Sequence, residues 1–161
     1  MSHNKITGAG IIPFYFGIND TKILLLRGKQ SGKWSFPKGF NENNESIKQT
    51  AVREMKEETS IDVPIYKLEG PGYKFGNYKF WYVKFDRQEI VKIQESEIIE
   101  HKWISIQEFM NMDTHMLNYP VKMFKFSIEN KKPQVLQYIK QNERKFNVRA
   151  KEFVSILEPS S

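Results

Sequence analysis

An α/β chain of the α+β kind, a mixed β-sheet packed between helices, is the fold class this sequence predicts. Two observations lead there. Apolar, β-branched and aromatic runs of strand length stand at 6–16, 21–28, 78–85 and 101–106, and helix-period stretches stand among them and after them. The strands and helices do not alternate regularly, as a doubly wound parallel sheet would require. With 161 residues and no linker, repeat or low-complexity block, one domain is expected over residues 1–161.

In chain order, "ITGAGIIPFYF" (6–16) reads as a strand, "GIND" as a turn and "TKILLLRG" as a second strand with a buried run from Ile23 to Leu26. The two form a predicted hairpin. "KQSGKWSFPKGF" reads as a Gly/Pro/Ser loop. From about Glu45 to Thr59 a helix is expected, with Ile47, Ala51 and Met55 as its buried stripe at i, i+4, i+8. "YKFWYVKF" (78–85) and "HKWISI" (101–106) are further strands. Ser105 and Glu108 form a Ser-x-x-Glu pattern that starts a short helix. A C-terminal helix follows over about 131–150, with Val135, Leu136, Ile139 and Phe146 apolar, and the tail 157–161 is expected to fray.

Composition narrows the chemistry. There is no cysteine, which excludes disulfides, thiolate metal sites and cysteine nucleophiles. No apolar run approaches the roughly 20 residues of a membrane span, and "MSHNKITGAG" lacks a signal-peptide core, so an intracellular location is expected. His3, His101 and His115 lack metal-ligand spacing and are assigned no function. The net charge of +6 favours polyanionic partners: nucleotides, RNA or phosphate-rich small molecules.

Against that basic background, acid is concentrated in "GFNENNESIKQTAVREMKEETSI" (39–61). Residues three and four apart are neighbours on a helix, so Glu54, Glu57 and Glu58 project from one face. Alone they repel by a few tenths of a kcal/mol per exposed pair. A divalent cation such as Mg²⁺ or Mn²⁺ turns that repulsion into a binding site, because such ions take carboxylates, water and substrate phosphates. Arg53 can brace the cluster. A solvated acidic face is the alternative.

The run Gly39, Glu45, Arg53, Glu54, Met55, Glu57, Glu58 and Ile61 resembles the Nudix box, G-x5-E-x7-R-E-U-x-E-E-x-G-U, where U is apolar. Ser60 stands where that family has its second glycine, which ends the helix in a left-handed turn. Serine there should cost about 1 kcal/mol or less, so a departure in the cap geometry is expected, with the chemistry unaffected. The resemblance implies a Nudix-type α/β/α sandwich and metal-dependent hydrolysis of a diphosphate bond. It implies one to three Mg²⁺ or Mn²⁺ ions on Glu54, Glu57 and Glu58, with the Gly39 carbonyl adding a ligand. Arg53 and Glu45 are expected to support loop and helix more than to touch substrate. The catalytic set is Glu57, Glu58, Arg53 and Glu97. Glu97 lies six residues before Trp103, a placement similar to that of a metal ligand or general base in members of the RNA pyrophosphohydrolase and decapping type. Glu95 and Glu100 compete for that role.

"WSFPKGF" resembles the W-x-x-P-K-G entry of diadenosine polyphosphate hydrolases and the decapping subunit. Lys38 there could reach a substrate phosphate. Arg27, Lys29 and Lys33 could add a positive rim, while Trp34 and Phe36 read as packing residues. "GYKFGNYKFWYVKF" interleaves aromatics with lysines, and Tyr73, Phe75 and Tyr78 are candidate base contacts. Lys140, Arg144, Lys145, Arg149 and Lys151 make the C-terminal helix either RNA-guiding or simply solvated. The leading expectation is a pyrophosphohydrolase acting on dinucleoside polyphosphates or nucleotide and RNA 5′ ends, including an mRNA cap. The alternatives are diphosphoinositol polyphosphate cleavage and an inactive nucleotide- or RNA-binding module. The latter should lack metal carboxylates, and here all three are present.

Overall fold

The computed structural model describes residues 5–157, so the frayed tail expected at 157–161 and His3 lie almost wholly outside the described residues. The hairpin forms as read. Strand β1 (Gly8–Gly17) pairs antiparallel with β2 (Asp20–Gly28), and Asn19 in the turn takes φ 50°, a conformation asparagine tolerates. The stretch at 29–40 is not a plain loop. It contains β3 (Trp34–Ser35), paired with β2, and β4 (Lys38–Phe40), paired with the first residues of β1. The physical reason is an open edge: β2 pairs β1 only over Phe14–Gly17, so the donors and acceptors at Gly8–Gly10 need a partner, and β4 supplies it.

The helix α1 spans Ile47–Thr59, and after it come β5 (Tyr73–Phe75), β6 (Tyr78–Phe85) and β7 (Ile98–Ser105). The seven strands make one sheet. β6 runs parallel to β1, and the other pairings are antiparallel: β5 on β6, β7 on β2. A mixed sheet was the expectation, and a mixed sheet is what forms. Among the described residues the other α-helices are α2 (Ile106–Met110), capped by Ser105 as read, α3 (Tyr119–Glu129) and α4 (Pro133–Leu157).

Alternate residues along each strand feed opposite faces. Ile12, Phe14, Ile23, Leu25, Phe80 and Tyr82 pack against Phe109 of α2, Val121 and Phe124 of α3, and Val135 and Ile139 of α4. Ala9, Ile11, Leu24, Leu26, Trp81 and Val83 pack under Ala51 and Met55 of α1. The result is helix, sheet, helix in layers. Each fully buried large side chain contributes about 1.5–3 kcal/mol by its removal from water.

α1 is fixed at both ends. Ser46 accepts from the Gln49 N–H, and the Gln49 side chain accepts from the Ser46 N–H at 2.7 Å, a reciprocal cap. At the far end the departure expected at Ser60 is not found. Ser60 takes the left-handed conformation itself (φ 65°, ψ 16°), its N–H bonds to the Lys56 carbonyl, and its hydroxyl donates to the Lys92 carbonyl at 3.0 Å. That hydroxyl bond offsets part of the strain a side chain suffers there.

Candidate active site

Strand β4 brings the backbone of Lys38 and Gly39 alongside α1. Glycine is required at 39 by close approach: a Cβ there would occupy the space of the Glu54 carboxyl group.

Arg53 is the hub of the carboxylates. Its Nε donates to Glu45 Oε2 at 2.7 Å, its Nη1 to Glu54 Oε1 at 2.8 Å and to both oxygens of Glu57 at 3.2 Å, and its Nη2 to the Phe40 carbonyl at 2.9 Å. Glu45 also accepts from the Thr50 hydroxyl at 2.6 Å and the Glu42 N–H at 3.1 Å. The Arg53 hydrogen bond, with help from Thr50, holds the Glu45 carboxyl down to about 2. Thr50 is fully buried, and it accepts from the Asn41 amide at 2.8 Å. Sequence reading missed Thr50 and Asn41, whose types are common and whose roles appear only when the loop folds back on the helix.

Glu54 and Glu58 are the desolvated members. Glu58 is 7 % exposed and accepts the Lys38 backbone N–H at 2.9 Å; burial pushes its carboxyl up to about 8. Burial also raises Glu54. Glu57 is half-exposed. The Lys38 ammonium lies 4.5 Å from the Tyr78 ring centroid; burial lowers its basicity, against the pull of Glu58, Glu54 and Glu97.

Glu97 arrives on a loop tied to the end of α1. The Lys92 N–H donates to the Thr59 carbonyl at 3.0 Å, and the Gln94 N–H to the Glu58 carbonyl at 3.3 Å. The exposed Glu97 carboxylate is close enough for its charge to act on Glu54, Glu58 and Lys38. Its competitors are placed differently: Glu100 pairs with Arg27 at 2.9 Å, and Glu95 is exposed. Arg27 also donates to the Gly32 carbonyl, so both its contacts are internal, while Lys29 and Lys33 are exposed.

Of the aromatics, Tyr78 stands beside Lys38 and feels the charges of Glu54 and Glu58. Tyr73 stacks on Tyr82 (4.4 Å between centroids) and Phe75 meets Phe124 edge-on at 5.9 Å, so the structure places both against the α3–α4 layer, not with the carboxylates. Phe36 is buried as read and Trp34 half-buried. Phe40, which the sequence reading passed over, is 68 % exposed with its ring 6.2 Å from Tyr78.

The donor set suits a hard divalent cation: oxygen donors only, two of them desolvated and mutually repelling, with the Glu54 carboxyl packed on the Gly39 backbone. Among the described residues the acids are not gathered into a closed cage, since Arg53 Nη1 bonds both Glu54 and Glu57.

The profile of the NUDIX domain matches residues 9–123. "Nudix hydrolase 5" of Arabidopsis thaliana is 32 % identical over 96 residues, covering 54 % of this chain and 31 % of that protein. "mRNA-decapping enzyme subunit 2" of Saccharomyces cerevisiae is 35 % identical over 78 residues, 43 % of this chain and 8 % of that protein. The chain therefore spans a third or less of the length of these relatives. A Caenorhabditis elegans Ap4A hydrolase, solved as a binary complex, superimposes with a TM-score of 0.56 at 22 % identity, over 78 % of this chain and 98 % of that one, a likeness of fold. With the layered sheet, the carboxylate-bearing α1 and a profile match over most of its length, the chain belongs to the NUDIX domain family.

Proposed function

We propose that the protein hydrolyses a diphosphate bond, in a dinucleoside polyphosphate or at a nucleotide or RNA 5′ end that includes an mRNA cap. The observation that carries this is the juxtaposition of two desolvated carboxylates with β4: Glu58 accepts the Lys38 backbone N–H, Glu54 packs on Gly39, and the Lys38 ammonium is near enough to feel both charges. Glu54, Glu57 and Glu58 would hold Mg²⁺ or Mn²⁺. When bound, such ions acidify water and neutralise phosphoryl oxygens. The chain's own residues do the rest. Arg53 fixes the carboxylates and the β4–α1 loop, so that little reorganisation is left for the reaction. Lys38 places a positive charge where a phosphate would approach. Glu97, free of an ion pair among the described residues, is the group to accept a proton from the attacking water. Two similar proteins, one named an Ap4A hydrolase and the other an mRNA-decapping enzyme subunit, support this substrate class.

The test is one panel with Mg²⁺ or Mn²⁺: diadenosine polyphosphates, capped and triphosphorylated RNA, ADP-ribose and diphosphoinositol phosphates, with product masses after reaction in ¹⁸O-labelled water. Cleavage of a nucleotide substrate, abolished by chelation and reduced by orders of magnitude in Glu57→Gln, is expected. Activity that survives full chelation, or cleavage of diphosphoinositol phosphates alone, would overturn the reading.

A further inference from the structure

A small cavity of about 150 Å³ lies between the ends of β1 and β6 and the middle of α4. Three cations line it, Lys84 from β6 and Lys145 and Arg149 from α4, against one carboxylate, Asp86. All three cations are exposed, and among the described residues none is ion-paired. The rings of Phe16, Phe85 and Phe146 also line the cavity; Phe16 is buried, and Phe85 and Phe146 are half-buried. The volume is below the roughly 300 Å³ at which pockets for drug-sized ligands begin, and suits a single planar group. Aromatic surface ringed by unpaired cations is the chemistry that holds a base and its phosphates in single-stranded nucleic acid.

The position matters as much as the lining. In the parallel β1–β6 pair, Tyr78 pairs with Gly8 at the carboxylate end, and Phe85 pairs with Tyr15 at the cavity end. Seven residue steps at about 3.3 Å separate those ends by roughly 23 Å. We infer that this cavity is a second, non-catalytic nucleotide site for single-stranded RNA, one nucleotide seated on the phenylalanine rings with its phosphates on Lys84, Lys145 and Arg149, several nucleotides from a 5′ end at α1. The inference rests on the RNA arm of the proposed function for its biological meaning only, because the site binds without hydrolysis.

The test uses the full chain and a fluorescent decaribonucleotide with a 5′ hydroxyl, which offers the carboxylate site no diphosphate. Lys84→Ala/Lys145→Ala/Arg149→Ala is expected to raise Kd at least tenfold and to flatten the salt dependence of log K by about 2, from three phosphate contacts at about 0.7 each. The control Lys140→Ala/Arg144→Ala/Lys151→Ala removes as much charge from α4 outside the cavity, and is expected to change Kd less than threefold. Independently of any variant, bound oligonucleotide is expected to protect Lys84 and Lys145 of the wild-type chain from acetylation while Lys140 and Lys151 stay reactive. Equal losses in the two triple variants, uniform protection of all four lysines, matching protection by polyglutamate, or no binding by the wild type would each overturn the site. A failed hydrolysis panel would leave these readouts intact, so the two ideas fail separately.

Discussion

Arg53 touches two of the three candidate metal carboxylates and the loop that precedes them, and Glu45 anchors it. The Glu45 carboxyl, held at about 2, sits below its ordinary value of about 4.3. The stabilisation it gives is therefore complete above the ordinary value and lost as pH falls through about 2. Glu45→Gln is expected to cost about 1–3 kcal/mol at pH 7 and progressively less towards pH 2, measured by urea unfolding at each pH. A loss that does not shrink with acid would assign Glu45 a packing role. At Glu97, where the sequence offered three acids, the structure separates them. Glu97→Gln should lower the maximal rate by about 10² to 10⁴ with little change in Michaelis constant. Glu95→Gln and Glu100→Gln should be nearly silent. A silent Glu97→Gln would move the base onto α1, with Glu57 the first residue to examine. The carboxylate face was legible because its geometry is local, three and four residues along one helix. The Lys38 N–H bond to Glu58 was not, because it spans 20 residues and depends on β4.

At the scale of elements, what was read and what was missed divide by the same physics. Strand β6 matches its expected span, since it is an unbroken aromatic and β-branched run. The helix α3 was given no element at all. Its sequence "YPVKMFKFSIE" alternates apolar and polar as a strand does, yet the buried residues Val121, Phe124 and Lys125 follow helical spacing. Asn118, whose side chain accepts from the Val121 N–H, and the proline after it were the available signals. The end of α1 gives a prediction of its own. Ser60→Gly relieves left-handed strain but removes the bond to the Lys92 carbonyl, so stability should stay within about 0.5 kcal/mol of wild type. Ser60→Val keeps the strain and loses the bond, and should cost about 1–2 kcal/mol. Chemical denaturation of both variants checks this, and a large loss in Ser60→Gly would mean that the hydroxyl bond dominates the cap.

For the molecule as a whole, the two helical layers divide the labour. α1 carries the acids, and the α2–α4 layer covers the other face with Phe109, Phe124, Val135 and Ile139. α4 extends past the helix expected at 131–150, to Leu157, and among its described side chains Val135 and Ile139 are buried against the sheet layer. Ile139→Ala is expected to cost about 2–4 kcal/mol through the cavity it leaves, with the maximal rate of the folded enzyme unchanged. A fall in rate without a fall in melting temperature would connect α4 to the chemistry directly.

The parallel seam between β1 and β6 has a consequence in time. Thr7 and Asn77 meet although they stand 70 positions apart in the chain, and α1 with all its glutamates lies inside that span. Helix α1 and the first hairpin can form early from near neighbours, but the seam must await closure of a long loop before its contacts repay the entropy. On the ribosome β1 emerges long before its partner, and stays open on that edge until β6 has been synthesised. Substitutions at Ile12 or Phe80 should therefore slow refolding more than substitutions confined to the hairpin turn, and the carboxylate centre is completed only after that seam has closed and the loop that follows β6 brings in Glu97.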